Sequence, residues 1–409
     1  MNRSLLSLCA LLTVFASARA DDQSQRAEAA ALGKRAEAVT KKIGELASSG
    51  KLPTTDESIA LLRTLVDELS EIRERLKALE GDVKSVKAAS KTVITGYLQF
   101  QYRDTDQPGG QPDAFQIRRA RVNVNHQADP RTLIKCSADF ATGANQLQAQ
   151  LRDAFALYSF PGWPNQGGAQ AQAGQFAIPI SFQLTRGDLE REFPERTLYM
   201  NALFNGERSR GAIGRVALGN GVSAFAGGMN ALSINDPEQA NGAPGTNSRL
   251  AALGGINYSR AGVEAALTAF GGTRAATTNN TVAVPDADRR WITLNAGYDR
   301  ARFSARGEYM TGKDRVPGSS TAPLMSGTDM RAWHLQLGYK FSPLDGLYVR
   351  YENWDRNTGT PGFVQKALGL AYQRDLTAAI RFVGAYESVE DDMLARKYGI
   401  TTFRLQYRF

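Results

Sequence analysis

Arginines separated by an even number of positions recur along the chain, as in Arg119 and Arg121, Arg302 and Arg306, Arg404 and Arg408. On an extended strand, even spacing places side chains on one face. A face of guanidiniums, each a rigid fork of donors, attracts the oxygens of phosphate and carboxylate groups. The same parity along neighbouring segments adds Arg103, Lys135, Arg215, Arg249, Arg289, Lys340, Arg350, Arg356 and Arg381, against Asp139, Glu308, Glu352 and Glu387. Many of these arginines are expected to pair with the carboxylates and brace a wall. The surplus predicts an anion path lined by Arg103, Arg119, Arg121, Lys135, Arg215, Arg302, Arg306, Lys340, Arg350 and Arg404.

Other chemistries are poorly supplied. Gly307-x-x-x-x-Gly312-Lys313 approaches a phosphate-binding P-loop, but Asp314 stands where Ser or Thr is required, and the segment reads as a strand. His126 and His334 lack metal-ligand spacing, and each reads as a hydrogen-bonded wall or rim residue. His334 is the one attractive lumen base, and no nucleophile motif accompanies it. Cys136 falls on the face opposite the charges, beside Ile134 and Phe140. The expectation is a protein that is not an enzyme, with neither cofactor nor metal.

The elements that must position the arginines are strands. Leu98, Phe100 and Tyr102 alternate with Gln99, Gln101 and Arg103, and the chain ends Phe403, Leu405, Tyr407, Phe409 against Arg404, Gln406, Arg408. Sixteen segments follow this period-two pattern: 96–104, 115–127, 131–143, 147–159, 169–182, 208–219, 221–232, 248–259, 262–274, 288–299, 301–313, 329–342, 346–357, 363–374, 376–388 and 397–409. Ala154–Tyr158 alternates poorly. Tight turns such as Asn220-Gly221 mostly alternate with long connections at 183–207, 233–247, 275–287 and 314–328. Short turns at one end and long loops at the other predict an all-β transmembrane barrel of sixteen antiparallel strands. A soluble β-sandwich is the competing fold, disfavoured by strand length, by the arginine-rich polar face and by the persistent loop asymmetry.

The longest connection, 183–207, is expected to fold inward as a constriction carrying Arg186, Arg191 and Arg196, although its own charge balance is acidic. Phe409, in register with three apolar residues, is expected to act as a membrane-assembly signal.

Residues 1–20 read as a signal peptide, with Arg3, an apolar stretch and Ala18-Arg19-Ala20 before Asp21. Residues 21–91 contain no aromatic side chain and read as a helical arm. Thr54 and Glu57 form a capping box after Pro53, and Leu62, Leu65, Leu69, Ile72, Leu76, Leu79, Val83 and Val86 fill every a and d position of a heptad. Opposite charges at Glu68–Arg73, Arg75–Glu80 and Asp82–Lys87 suit a parallel coiled coil, as a dimer or a trimer. The alternative is one amphipathic helix packed on its own domain.

Composition narrows the class. The 409 residues are 42% hydrophobic and 22% charged, which excludes general disorder and small disulfide scaffolds. After the first 20 residues no apolar run is long enough for a spanning helix. The net charge of +8 does not come from the arm, where 13 basic residues balance 13 acidic ones. Residues 92–409 hold 34 basic against 28 acidic residues, 29 of the basic ones arginine. The positive excess therefore belongs to the strands and does not read as a nucleic-acid surface.

Between Gly96 and about Gly214 the chain carries, in order, Arg118-Arg119-Ala120-Arg121-Val122, Ile134-Lys135 with Asp139-Phe140, Asp153-Ala154-Phe155, Gly174-Gln175-Phe176 with Pro179, and Glu190-Arg191 through Pro194-Glu195-Arg196. In these residues and their spacing it resembles the phosphate-selective porin O and P family. The resemblance implies a trimer of sixteen-stranded barrels, each with an inward loop and an arginine-lined anion path, and makes the coiled coil a trimeric periplasmic stalk. The sequence departs from the family in its lysines, which within the barrel are Lys135, Lys313, Lys340, Lys366 and Lys397 alone.

Two functions follow as expectations. The first is a bacterial outer-membrane porin for passive diffusion of small inorganic anions, phosphate or polyphosphate among them. Its partners would be outer-membrane lipid and further copies of itself in a homotrimer. The second is a non-selective porin, or a structural barrel whose residues 21–91 hold the cell wall or a periplasmic partner.

Overall fold

The computed structural model describes residues 91–107, 113–142, 148–235, 249–274, 277–279, 282–284, 286–316 and 325–409, together with Asp67. The chain divides into two compact units, Met1–Lys91 and Thr92–Phe409. The expected signal peptide, the helical arm and the heptad from Leu62 to Val86 lie outside the described residues.

Alternating β-branched, aromatic and polar residues build the second unit. Its first strands are β1 (Lys91–Thr105), β2 (Ala114–Asp129), β3 (Thr132–Thr142), β4 (Gln148–Ser159) and β5 (Ala169–Ala177). After a long connection come β6 (Arg208–Gly219), β7 (Val222–Asn230), β8 (Leu250–Arg260) and β9 (Val263–Arg274). The short strands β10 (Thr277–Asn279) and β11 (Val282–Val284) form a separate hairpin. Then follow β12 (Ala287–Arg300), β13 (Phe303–Val316), β14 (Met325–Lys340), β15 (Asp345–Asp355), β16 (Val364–Asp375), β17 (Ile380–Asp391) and β18 (Arg396–Arg408). Apart from the β10–β11 hairpin, the strands close into one barrel of sixteen, with β1 beside both β2 and β18.

The seam is sealed by the chain terminus. Tyr97 stands opposite Arg408 and Gln101 opposite Arg404. Gly96 and Phe409 exchange two backbone hydrogen bonds of 3.0 Å. A side chain at Gly96 would strike the Phe409 ring, so glycine there lets the terminal aromatic lie across the joint. The tight turns use left-handed backbone: Asn220 and Gly221 have φ of 52° and 83°, and Ala261 and Gly262 have 54° and 81°. These values match the two-residue turns that follow the natural twist of a hairpin. The β8–β9 turn is thus Ala261-Gly262, one residue later than sequence spacing suggests.

The outer face is apolar. Leu294, Tyr309 and Trp333 are neighbours in one row across β12–β14, and Leu337, Val349, Leu370 and Tyr386 in another across β14–β17. All seven side chains are exposed. Aromatic pairs such as Phe303–Tyr339 and Tyr158–Phe160, with ring centres 4.9 Å apart in each, ring the end that carries the short turns. Such a band with an aromatic girdle suits a lipid environment. Cys136 is exposed on this outer face together with Ile134 and Phe140.

Three details differ from the sequence reading. Strand β5 stops at Ala177 rather than 182, because Pro179 cannot donate to a ladder and Ile178 and Ile180 turn into the interior. The connection 178–207 then holds two short helices, α1 (Phe182–Thr185) and α2 (Leu198–Leu203). The inner wall is also not polar throughout. Ile213, Phe225, Met229, Leu253, Phe270, Trp291, Met310, Met330 and Trp354, from β6–β9 and β12–β15, are buried in one cluster with Ile178, Ile180, Leu184, Met200, Leu203 and Phe204 of the connection. The 178–207 segment is therefore an inward loop seated on an apolar half of the barrel.

Candidate functional site: the arginine eyelet beside the inward loop

Seating the loop on the β6–β15 wall leaves open space along β1–β5. Two cavities lie there. One, of about 800 Å³ on the long-loop side, is lined by Gln101, Arg103, Arg118, Arg119, Arg152 and Glu195 among others. The other, of about 810 Å³ on the short-turn side, is lined by Lys135, Phe155, Arg186, Arg191, Arg208 and Arg215 among others. Arg121 lines both.

Around Arg121 the loop and the wall share an ion network. Arg121 donates to Asp139 of β3 at 2.9 Å and to Asp188 of the loop at 2.7 Å. Asp188 also accepts the Tyr97 hydroxyl at 2.5 Å and pairs with Arg119 at 3.3 Å, with Arg196 at 3.5 Å and with Arg191. Burial alone raises a carboxyl, but the four guanidiniums outweigh it and hold Asp188 well below the usual carboxylate range. Glu195 is treated alike by Arg118 at 2.8 Å, Arg119 at 3.6 Å and Arg404 at 2.5 Å, and is also held low against its burial. Glu207 meets Arg152, Arg196 and Arg208, while Asp153 meets Arg208 at 3.0 Å and Lys135 at 3.3 Å.

Among the described residues this network joins nine cations (Arg118, Arg119, Arg121, Lys135, Arg152, Arg191, Arg196, Arg208 and Arg404) to five carboxylates (Asp139, Asp153, Asp188, Glu195 and Glu207). Every one of the nine cations has a partner, yet the carboxylates are shared and the cluster keeps a positive excess. Several donors also remain free. The buried Nε atoms of Arg121 and Arg152 have no hydrogen-bond partner, and Arg191 meets Asp188 as an ion pair without hydrogen-bond geometry.

The barrel places the expected path residues in three settings. Arg103, Arg119, Arg121, Lys135 and Arg215 line the two cavities beside the loop. Arg302, Arg306 and Lys340 line a third cavity of about 610 Å³ at the turn end, where Arg306 pairs with Glu192 and Asp299, each at 2.7 Å. Arg350 and Arg404 clamp the loop instead: Arg350 binds Glu387 at 2.6 Å and the Glu195 carbonyl at 3.0 Å, and Arg404 binds Glu195 and the Pro194 carbonyl. Within the loop, Arg186 reaches Glu264 of β9 at 2.7 Å, and Arg196 also donates to the Gln183 carbonyl at 2.7 Å.

The barrel has the porin fold. It is similar to the anion-selective porin from Comamonas acidovorans, at 14% identity and a TM-score of 0.58, covering 78% of this chain and 100% of that one. The outer membrane channel DcaP of Acinetobacter baumannii follows at 13% identity and 0.58, with 79% and 98% covered. Salmonella typhi OmpF, in complex with daunomycin, stands at 13% and 0.57, with 79% and 99% covered. No protein-family model and no curated protein sequence matches the chain.

In this porin-fold barrel, strand parity missed Arg118, Arg152 and Arg208. Arg118 and Arg119 are consecutive, yet both reach Glu195 inside. Arg152 and Asp153 are both buried because the β3–β4 register slips between Ser137 and Ala138. A bulge of this kind turns two successive side chains to one side. The available signal was the charged doublet itself, which a regular lipid-facing strand would not tolerate.

Both histidines are hydrogen-bonded residues of the barrel wall. His334 Nδ1 lies 2.9 Å from the Tyr199 hydroxyl, which donates to Glu308 at 2.7 Å, and Ser181 also binds Glu308. This cluster pins the loop to β13 and β14. His126 Nδ1 contacts the Thr92 hydroxyl at 2.9 Å. Among the described residues no group of His, Cys, Asp or Glu could hold a metal ion.

Proposed function

We propose that the protein is an outer-membrane porin through which small inorganic anions diffuse passively. The observation that carries this reading is the eyelet at Arg121, where nine cations share five carboxylates between two cavities of about 800 Å³ each. A fixed positive surplus lowers the barrier for anions and raises it for cations. The likeness to an anion-selective porin in fold supports the same direction. The apolar outer band supports an outer-membrane setting, and in the same reading residues 21–91 are a periplasmic arm and Phe409 is the assembly signal.

The donors are mainly guanidiniums, with Lys135 the lysine within the network. Guanidinium forks suit any small oxyanion, so phosphate passes as one anion among several. Self-association through the Leu62–Val86 heptad, as a trimer, belongs to the same reading. The test is the single-channel conductance of the purified protein in a planar bilayer. Discrete open steps in KCl are expected, and a barrel that inserts without conducting contradicts the proposal.

A further inference from the structure

We propose that the turn-side cavity admits organic anions with a ring-sized apolar body, the carboxylate held by Lys135 and Arg215 and the ring by Phe155. This deepens the porin reading and rests on it. The clue is the stretch from Ala154 to Tyr158, whose alternation fails because both of its faces are apolar. Ala156 and Tyr158 face outward and are exposed, whereas Phe155 and Leu157 face the interior. Opposite them in register stand Lys135 and Leu133. A passage for inorganic ions alone has no use for such a strip.

Phe155 rests edge-on against Phe176, with ring centres 6.2 Å apart, and the cavity it lines is also lined by Ala177 at the end of β5 and by Pro179 and Leu184 of the inward loop. The cations stand beside this apolar patch. Lys135 Nζ lies 6.0 Å from the Phe155 ring centre and keeps a partly exposed side chain. Arg215 gives its hydrogen bond to the neutral Gln172 at 2.9 Å. A cavity of about 810 Å³ accommodates an aromatic acid comfortably. The long-loop cavity, by contrast, is lined by arginines and amides such as Gln101, Gln116 and Gln150. Apart from Phe204 and two alanines the long-loop lining is polar or glycine, so an anion with an apolar body gains more contacts on the turn side.

The experiment compares benzoate with acetate as blockers of the chloride current in a planar bilayer, each variant scaled to its own current in KCl. Benzoate should halve the wild-type current at roughly fivefold lower concentration than acetate, the size expected of one aromatic contact. Phe155→Ala should erase that ratio. Phe155→Leu, which keeps packing on Phe176, should at least halve it. Equal potency of the two anions on the wild type, or a ratio unchanged in Phe155→Leu, overturns the inference. The reversal potential in a KCl gradient, taken in the same bilayers, reports separately on anion preference. An anion-selective channel without the benzoate ratio refutes this inference alone, and a cation-selective one refutes the porin reading beneath it.

Discussion

Arg121 Nη1 lies 2.7 Å from Asp188 Oδ2, and this contact fastens the tip of the inward loop to the wall of the barrel. The same guanidinium holds Asp139 and faces both cavities, so it links the attachment of the loop to the charge of the passage.

Replacing Arg121 with Ala removes one unit of the surplus where the two cavities meet. A charge about 5 Å from a passing ion in water contributes roughly 0.8 kcal/mol. Because the charge attracts chloride and repels potassium, the chloride-to-potassium permeability ratio should fall by roughly tenfold, read from the reversal potential. Arg119→Ala should act in the same direction.

Asp188→Asn does the opposite to charge and harms the fold. Four guanidiniums lose their shared partner. Breaking a buried ion pair typically costs about 3–5 kcal/mol. A lower unfolding temperature in detergent is expected, together with a higher chloride-to-potassium ratio.

Trp291→Ala separates stability from selectivity. Trp291 is buried in the apolar half beneath the loop and donates to Asp314 at 3.2 Å, away from the Arg121 passage. Emptying that site should cost about 3–5 kcal/mol. Unfolding should shift downward while the reversal potential stays unchanged.

Acid should loosen the loop late. Asp188 and Glu195 are both held below their ordinary values, near 3.9 and 4.3 when unfolded. Their contribution is complete above those values and is lost as pH falls through the lower folded ones. Current noise should stay flat from pH 7 to about 4 and rise below it. Noise rising already between about pH 7 and 5 would contradict control of the loop's acid response by Asp188 and Glu195.

Strand parity made much of this legible. It placed Arg119, Arg121, Arg350 and Arg404 inside, and all four are buried there. It could not show which guanidiniums line space and which clamp the loop, because that depends on where Glu195 and Pro194 arrive after 178–207 folds inward. Arg152 escaped because a bulge breaks the period on which the reasoning rests, and Arg118 because its side chain reaches Glu195 from beside Arg119. The apolar inner wall escaped for a different reason: Trp291 and Phe270 look outward-facing by type, and only the loop seated on them explains their burial. Poor alternation at Phe155 was visible, but its meaning required the cavity beside it.

The most direct test of the account is the zero-current potential of the wild-type channel between unequal KCl solutions. The positive surplus around Arg121 predicts a potential near the chloride equilibrium value. A potential on the potassium side would contradict it, because paired carboxylates rather than arginines would then govern the passage.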